Sequence, residues 1–204
     1  QWHDMPLMEQ DKHMKWVNGF AETRRRWPEV MEINRRYHED GKFVSYPAFE
    51  WHSSGFGDFC CIFPTDKTAA HENLPTPDKL KAFASEREAI LIPHHPAYRR
   101  GRRGANPTVW DPKLMPLLEI YSEHGFAETH TGPYDYIRHS MGGRYRENTY
   151  REFLKAGHRM GAIASTDDHL GYPGSYGMGL AVVLATELTR KSVMNALRKR
   201  RAYG

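Results

Sequence analysis

Short apolar runs punctuate this chain at wide intervals, with segments of helical spacing between them. Ala89-Ile90-Leu91-Ile92 and Leu117-Leu118-Glu119-Ile120 are continuous runs of the kind shown by a strand buried on both faces. Phe43 to Trp51, Phe59 to Phe63, Met160 to Ser165 and Gly179 to Ala185 read as further strands, with Gly55 and Gly57 connecting the first two. Helical patterns cover Asp78 to Ser85, Asn148 to Ala156 (stopped by Gly157) and Thr189 to Lys199. Residues 1–42 read as a helical lead-in, with Trp16, Phe20 and Trp27 on one face. Pro28 is expected to open a second helix that turns Val30, Ile33 and Tyr37 inward. Strand and helix in alternation over residues 43–204 favour an α/β fold built on a parallel sheet or barrel. The length of 204 residues and the lack of an internal repeat favour one domain.

Composition removes several function classes. At 39% hydrophobic and 12% aromatic, the chain can bury a core and is not a disordered composition. No run approaches the roughly 20 apolar residues that span a bilayer, so no membrane association is expected. The net charge of +4 is mild, and its clusters are Arg24–Arg26, Arg99-Arg100 with Arg102-Arg103, and Arg198–Arg201. None is interleaved with aromatics as a nucleic-acid groove requires, so no nucleic-acid partner is expected. The two cysteines, Cys60 and Cys61, are adjacent and would point to opposite faces of a strand, which makes them poor disulfide partners. That usage is compatible with a reducing compartment such as the cytoplasm, and the sequence leaves compartment and oligomeric state open.

The chemistry is concentrated where predicted strands end. One ends Phe49-Glu50-Trp51-His52, and the next Ile92-Pro93-His94-His95-Pro96. A third gives Glu119-Ile120-Tyr121-Ser122-Glu123-His124, and a fourth Ser165-Thr166-Asp167-Asp168-His169. A lone histidine is usually structural, but four strand ends of the same kind are a pattern. In a parallel barrel such ends share one face. Imidazole and carboxylate together suit Zn, Mn or Fe better than Ca. Asp167 and His169, two residues apart, can reach one side while Asp168 points away. There is no nucleophile elbow, P-loop or dinucleotide fingerprint, and Gly171, Gly174, Gly177 and Gly179 look like a loop over the site.

In order, FEWH, IPHHPA, LEIYSEHG, STDDHLGYPG and the closing ELTRKSVMNALRKRRAYG resemble the PHP (polymerase and histidinol phosphatase) superfamily, from about Phe43 onward. Within it the chain is most similar to a large uncharacterised branch. The resemblance implies a distorted (β/α)7 barrel with two or three divalent ions at its centre. It implies Glu50 as a bridging carboxylate, His95 or His94 as the next ligand, and His124 or Glu119 as another. Asp167 and His169 would form the terminal pair. The superfamily's opening His-x-His has no counterpart upstream of Glu50, so the barrel's first strands are expected to be missing from this chain. Asp58 stands where that branch tends to carry a histidine.

Taken together, these features lead us to expect a metal-dependent hydrolase, with a phosphoesterase as the leading case. Its metals would generate hydroxide, Asp167 or His169 would move protons, and Arg99, Arg100, Arg102 and Arg103 would bind a small anionic substrate. A hydrolase or lyase acting on a non-phosphate substrate, and a non-catalytic remnant that binds a ligand or partner, remain as alternatives.

Overall fold

The computed structural model describes Lys12, residues 21–138 and residues 141–204. The predicted helical face through Trp16 and Phe20 lies outside them. The first described element is helix α1, Ala21–Tyr37, and it runs through Pro28 without stopping. Pro28 therefore does not open a second helix. Val30, Ile33 and Tyr37 are exposed, whereas Met31 is buried and Trp27 packs edge-on against Phe49 and Phe63.

The strands form three small sheets rather than a closed barrel. β1 (Ala48–Trp51), β2 (Asp58–Ile62) and β3 (Ile90–His94) make an antiparallel sheet in that order. β4 (Leu117–Ser122) pairs antiparallel with β5 (Gly125–Phe126) and parallel with β6 (Gly161–Ala164). β7 (Val182–Val183) and β8 (Ala202–Tyr203) form a third, two-stranded sheet. Helices α2 (Pro77–Glu86), α3 (Tyr150–Lys155) and α4 (Arg190–Arg198) complete the mixed α/β architecture. The expectation of a (β/α)7 barrel is thus overturned, since β4–β6 is the one parallel pair among the described residues.

The physical reason is visible in two places. Only residues 52–57 join β1 to β2, which is too short for the crossover that parallel strands need. The continuous apolar run in β3 reports two covered faces, not parallel neighbours. Leu91 packs with Phe63, Leu80 and Phe83 on one side, while Ile90 and Ile92 pack with Leu117, Met194 and Leu197 on the other. β4 is sandwiched in the same way, with Leu117 facing α4 and Leu118 facing Phe153 of α3. Cys60 and Cys61 lie on opposite faces of β2 in different clusters, and both are free thiols.

Helix ends follow local rules. Thr76 caps α2 and Thr189 caps α4, each accepting from the backbone N–H three residues on. α4 is tied to the remainder by Arg190, which bonds the Ser45 carbonyl, Asp66 and Asn34. No described helix is long and apolar enough to cross a membrane.

Candidate metal centre

β3 and β4 lie side by side, so the two larger sheets present their chemically active ends to one another. Because β2 is antiparallel, its first residue, Asp58, sits opposite His94 at the end of β3, beside the end of β1. Backbone bonds from Ser165 to Tyr121 and from Glu123 to Thr166 continue the β4–β6 pairing past the strand ends and set Asp167 beside His124. The result is a cavity of about 490 Å³ lined by Glu50, His52, His94, His95, Arg103, Glu123, His124, Ile137, Asp167 and His169. Six residues singled out from the sequence, Glu50, His94, His95, His124, Asp167 and His169, share that cavity.

The histidine half is built in layers. His94 Nδ1 lies 2.8 Å from Glu119 Oε2, whose carboxylate also accepts from Ser165 Oγ at 2.7 Å and from the His95 N–H at 3.1 Å. With Nδ1 engaged by a carboxylate, the lone pair or proton at Nε2 is directed the other way, and Nε2 lies 3.0 Å from Asp167 Oδ2. His124 repeats the arrangement: Nδ1 is 2.7 Å from the Tyr98 hydroxyl, and Nε2 is 2.9 Å from the same Asp167 oxygen. His95 lies between them, its ring centroid 4.2 Å from that of His94 and 4.6 Å from that of His124. Only 1% of His95 is exposed, and neither ring nitrogen makes a hydrogen bond. Glu119 therefore stands behind His94 and orients it. It does not line the cavity as an alternative to His124.

Electrostatics divide these rings. Burial opposes charge on His94, but Glu119 and Asp167 on its two nitrogens hold its pKa well above the ordinary value. Burial and the neighbouring His94 push His95 down to about 3. Burial likewise takes His124 down to about 4, against the pull of Asp167. Asp167, despite its own burial, is held far below the usual carboxylate range by His124 and His94.

The other half centres on Asp58, which is fully buried. Its Oδ1 accepts from the Ser53 N–H at 3.0 Å, and its Oδ2 is bonded by the Arg103 guanidinium. His52 Nδ1 and His95 Nε2 lie 3.3 and 3.2 Å from the same Oδ2. Glu50 Oε1 is 3.4 Å from His52 Nδ1 and 3.9 Å from Arg103. Arg103 arrives here because the loop after β3 is stitched to the β1–β2 loop, through Arg103 N–H to the Ser54 carbonyl and Asn106 N–H to the Phe56 carbonyl. Gly57 permits this approach, since a Cβ there would come within 2.9 Å of Ala105 Cα. The other arginines of that cluster do not line the cavity. Arg99 and Arg100 are exposed, with Arg100 bonded to Asn148 and Arg99 set over the Tyr145 ring.

At the mouth, His169 Nδ1 is 2.6 Å from Glu123 Oε1, and the His169 side chain is 70% exposed. Asp168 turns away and caps its own loop, accepting from the N–H groups of Leu170 and Tyr172. Residues 165–181 carry no helix or strand, with Gly171, Gly174 and Gly177 at positive φ. Three non-glycine residues of the site, His95 (φ 29), Arg103 (φ 66) and Asp167 (φ 55), also occupy the left-handed side of backbone space. Such strain persists only where the surroundings over-determine it.

A divalent ion fits the histidine half. Ligand atoms of His94, His95 and His124 all lie within 4.8 Å of one another, as do those of Glu123, Asp167 and His169. Two imidazoles oriented from behind, a carboxylate between them and a buried third ring whose nitrogens make no hydrogen bond are a donor set that suits a divalent cation. The sequence placed His52 and Glu123 at strand ends and left the role of Asp58 open without assigning any of the three to the site, and it carried no signal for Tyr98. No family model, curated protein or solved structure matches the chain.

Proposed function

We propose that this protein is a metal-dependent hydrolase acting on a small anionic substrate, with a phosphoester as the leading substrate class. The observation that carries the proposal is the convergence of His94 Nε2 and His124 Nε2 on Asp167 Oδ2, with the unpartnered His95 ring beside them. The ordered resemblance to the PHP superfamily supports the same reading. His94, His95, His124 and Asp167 would hold the ion, which we expect to be Zn, Mn or Fe. Bound there, it would polarise a substrate oxygen and lower the pKa of water.

The chain's own residues supply the remainder. A cavity of about 490 Å³ suits a small molecule. Arg103 is the one arginine of its cluster that lines it, so any guanidinium contact to the anion falls to this residue. His169 loses some proton affinity to burial but gains more from Asp167 and Glu123, and its pKa is raised. At the mouth it is placed to deliver a proton to a leaving oxygen. Metal analysis of the purified protein by mass spectrometry, with hydrolysis of a phosphoester panel before and after chelation, tests the reading. We expect at least one tightly held ion and chelator-sensitive turnover. Protein that binds no ion would refute the metal-centre assignment, and metal-loaded protein inactive on phosphoesters would move the substrate to another class.

A further inference from the structure

We infer that Arg103 is the resident cation of the Glu50–Asp58 half of the cavity, its guanidinium taking the place where these residues would otherwise hold a second divalent ion. The inference rests on the metal-binding reading of the histidine half and adds what that reading leaves open, the number of ions and what fills the other half.

Composition alone would make this half a metal site. Ligand atoms of Glu50, Asp58 and His95 lie within 4.8 Å of one another. Two carboxylates and an imidazole suit the same ions as the histidine half. Asp58 has no exposed surface, so its charge needs a partner at close range. That partner is already present. Arg103 bonds Asp58 Oδ2, lies 3.2 Å from His52 Nδ1 and stands 3.9 Å from Glu50 Oε1.

Arg103 is no stray surface side chain folded inward. It is 4% exposed, and its backbone N–H is anchored to the Ser54 carbonyl at 2.9 Å. Its φ of 66° is one that glycine adopts freely and arginine does not. Arginine stands at a position whose backbone favours glycine, where its charge meets Asp58 and Glu50. The unpartnered His95 ring, with Nε2 3.2 Å from Asp58 Oδ2, shows that this half retains a donor aimed at the same point. A divalent ion entering here would meet a fixed positive charge within a few ångströms and be repelled. A guanidinium cannot be chelated away, and its planar fork keeps N–H donors available for an anionic substrate.

The test is ion stoichiometry on the full chain, loaded with Mn²⁺ or Zn²⁺, freed of loose metal and measured by mass spectrometry. Two variants are compared with the wild type. Arg103→Gly suits the backbone, and Arg103→Gln keeps a neutral donor toward Asp58, so one can report if the other folds poorly. We expect each variant to bind one more ion per chain than the wild type, and added guanidinium to displace that extra ion. Equal counts in wild type and variants would overturn the inference while leaving the metal-centre reading intact if the wild type holds an ion. A wild type with no ion would remove that reading, and the inference that rests on it, whatever the variants bind. Counts of zero throughout would remove both. Variants that fold only when the ion is supplied count in favour. Variants that fail to fold even then count against, because a supplied cation should replace the guanidinium.

Discussion

On the β3–β4–β6 side of the cavity, His94 and His124 are oriented from behind by Glu119 and Tyr98 and meet at Asp167. On the β1–β2 side, Asp58 is already engaged by Arg103, with His52 and Glu50 around the pair. In the first half two imidazoles close on one carboxylate oxygen at hydrogen-bond distance, and in the second a carboxylate is neutralised by a guanidinium. Both use the same side-chain types. What separates them is the layer behind: a carboxylate behind an imidazole prepares it to bind a cation, whereas a buried guanidinium in front of a carboxylate takes the cation's role.

The largest expected effect breaks the second half. Asp58→Ala strands the Arg103 charge in the interior and should cost about 3–5 kcal/mol of stability. Glu50→Ala removes a partly exposed carboxylate with longer contacts and should cost under about 1 kcal/mol. Chemical denaturation of both variants measures the gap, and comparable losses would erase the distinction between the two carboxylates.

Next in size is the acid response of metal-free protein, which reads the first half. His95 and His124 have folded pKa values of about 3 and about 4, below the free value near 6.5. As pH falls through about 6.5, the unfolded chain takes up protons that the folded protein refuses. Stability then drops by about 1.4 kcal/mol per pH unit for each ring, until its folded value is reached. His94 runs the opposite way. Its raised pKa contributes stability below about 6.5, and that contribution is lost as pH climbs through the folded value. Denaturation midpoints should therefore peak near the ordinary histidine range, and a flat profile between about pH 4 and pH 8 would contradict these assignments.

Two smaller changes sharpen the role of the backing layer. Glu119→Gln keeps the shape behind His94 but withdraws the charge, and should weaken metal affinity by about 10–100-fold with little loss of cavity. Competition with a metallochromic chelator would report it. Tyr98→Phe removes the hydroxyl that meets His124 Nδ1 and should cost about 1 kcal/mol in thermal unfolding, with a weaker effect on metal affinity than Glu119→Gln. If Tyr98→Phe proved the more damaging to metal binding, His124 rather than His94 would be the better-prepared ligand.

The sequence made some of this legible and hid the rest for definable reasons. Element positions came through where an apolar run was long, as at β3 and β4. Their pairing did not, because burial on both faces looks the same in parallel and antiparallel strands. The short link between Trp51 and Asp58 was the available warning. Convergence of His94, His95, His124 and Asp167 was readable from their places at strand ends. Asp58 was harder, since it begins a strand, and a search confined to strand ends passes over the first residue of an antiparallel neighbour. Arg103 was grouped with Arg99, Arg100 and Arg102 as an anion clamp. Its separation from them depends on a left-handed turn and on Gly57 allowing two loops to touch, neither of which has a signature in charge alone.

The backbone at His95 and Asp167 has a bearing on how any mutational scan of this cavity should be interpreted. Both residues sit at positive φ, where a Cβ is unwelcome and glycine is at ease. Replacing His95 with alanine deletes the ring and retains the strain. Replacing it with glycine deletes the ring and releases the strain. Alanine data alone would fold two quantities into one number, whereas the alanine-to-glycine difference, once about 0.4–1 kcal/mol is allowed for glycine's freer unfolded chain, reports what the main chain endures to hold the imidazole in place. If that difference is large, the ring position is imposed by its surroundings, and transplanting these ligands onto a relaxed loop would not reproduce the site.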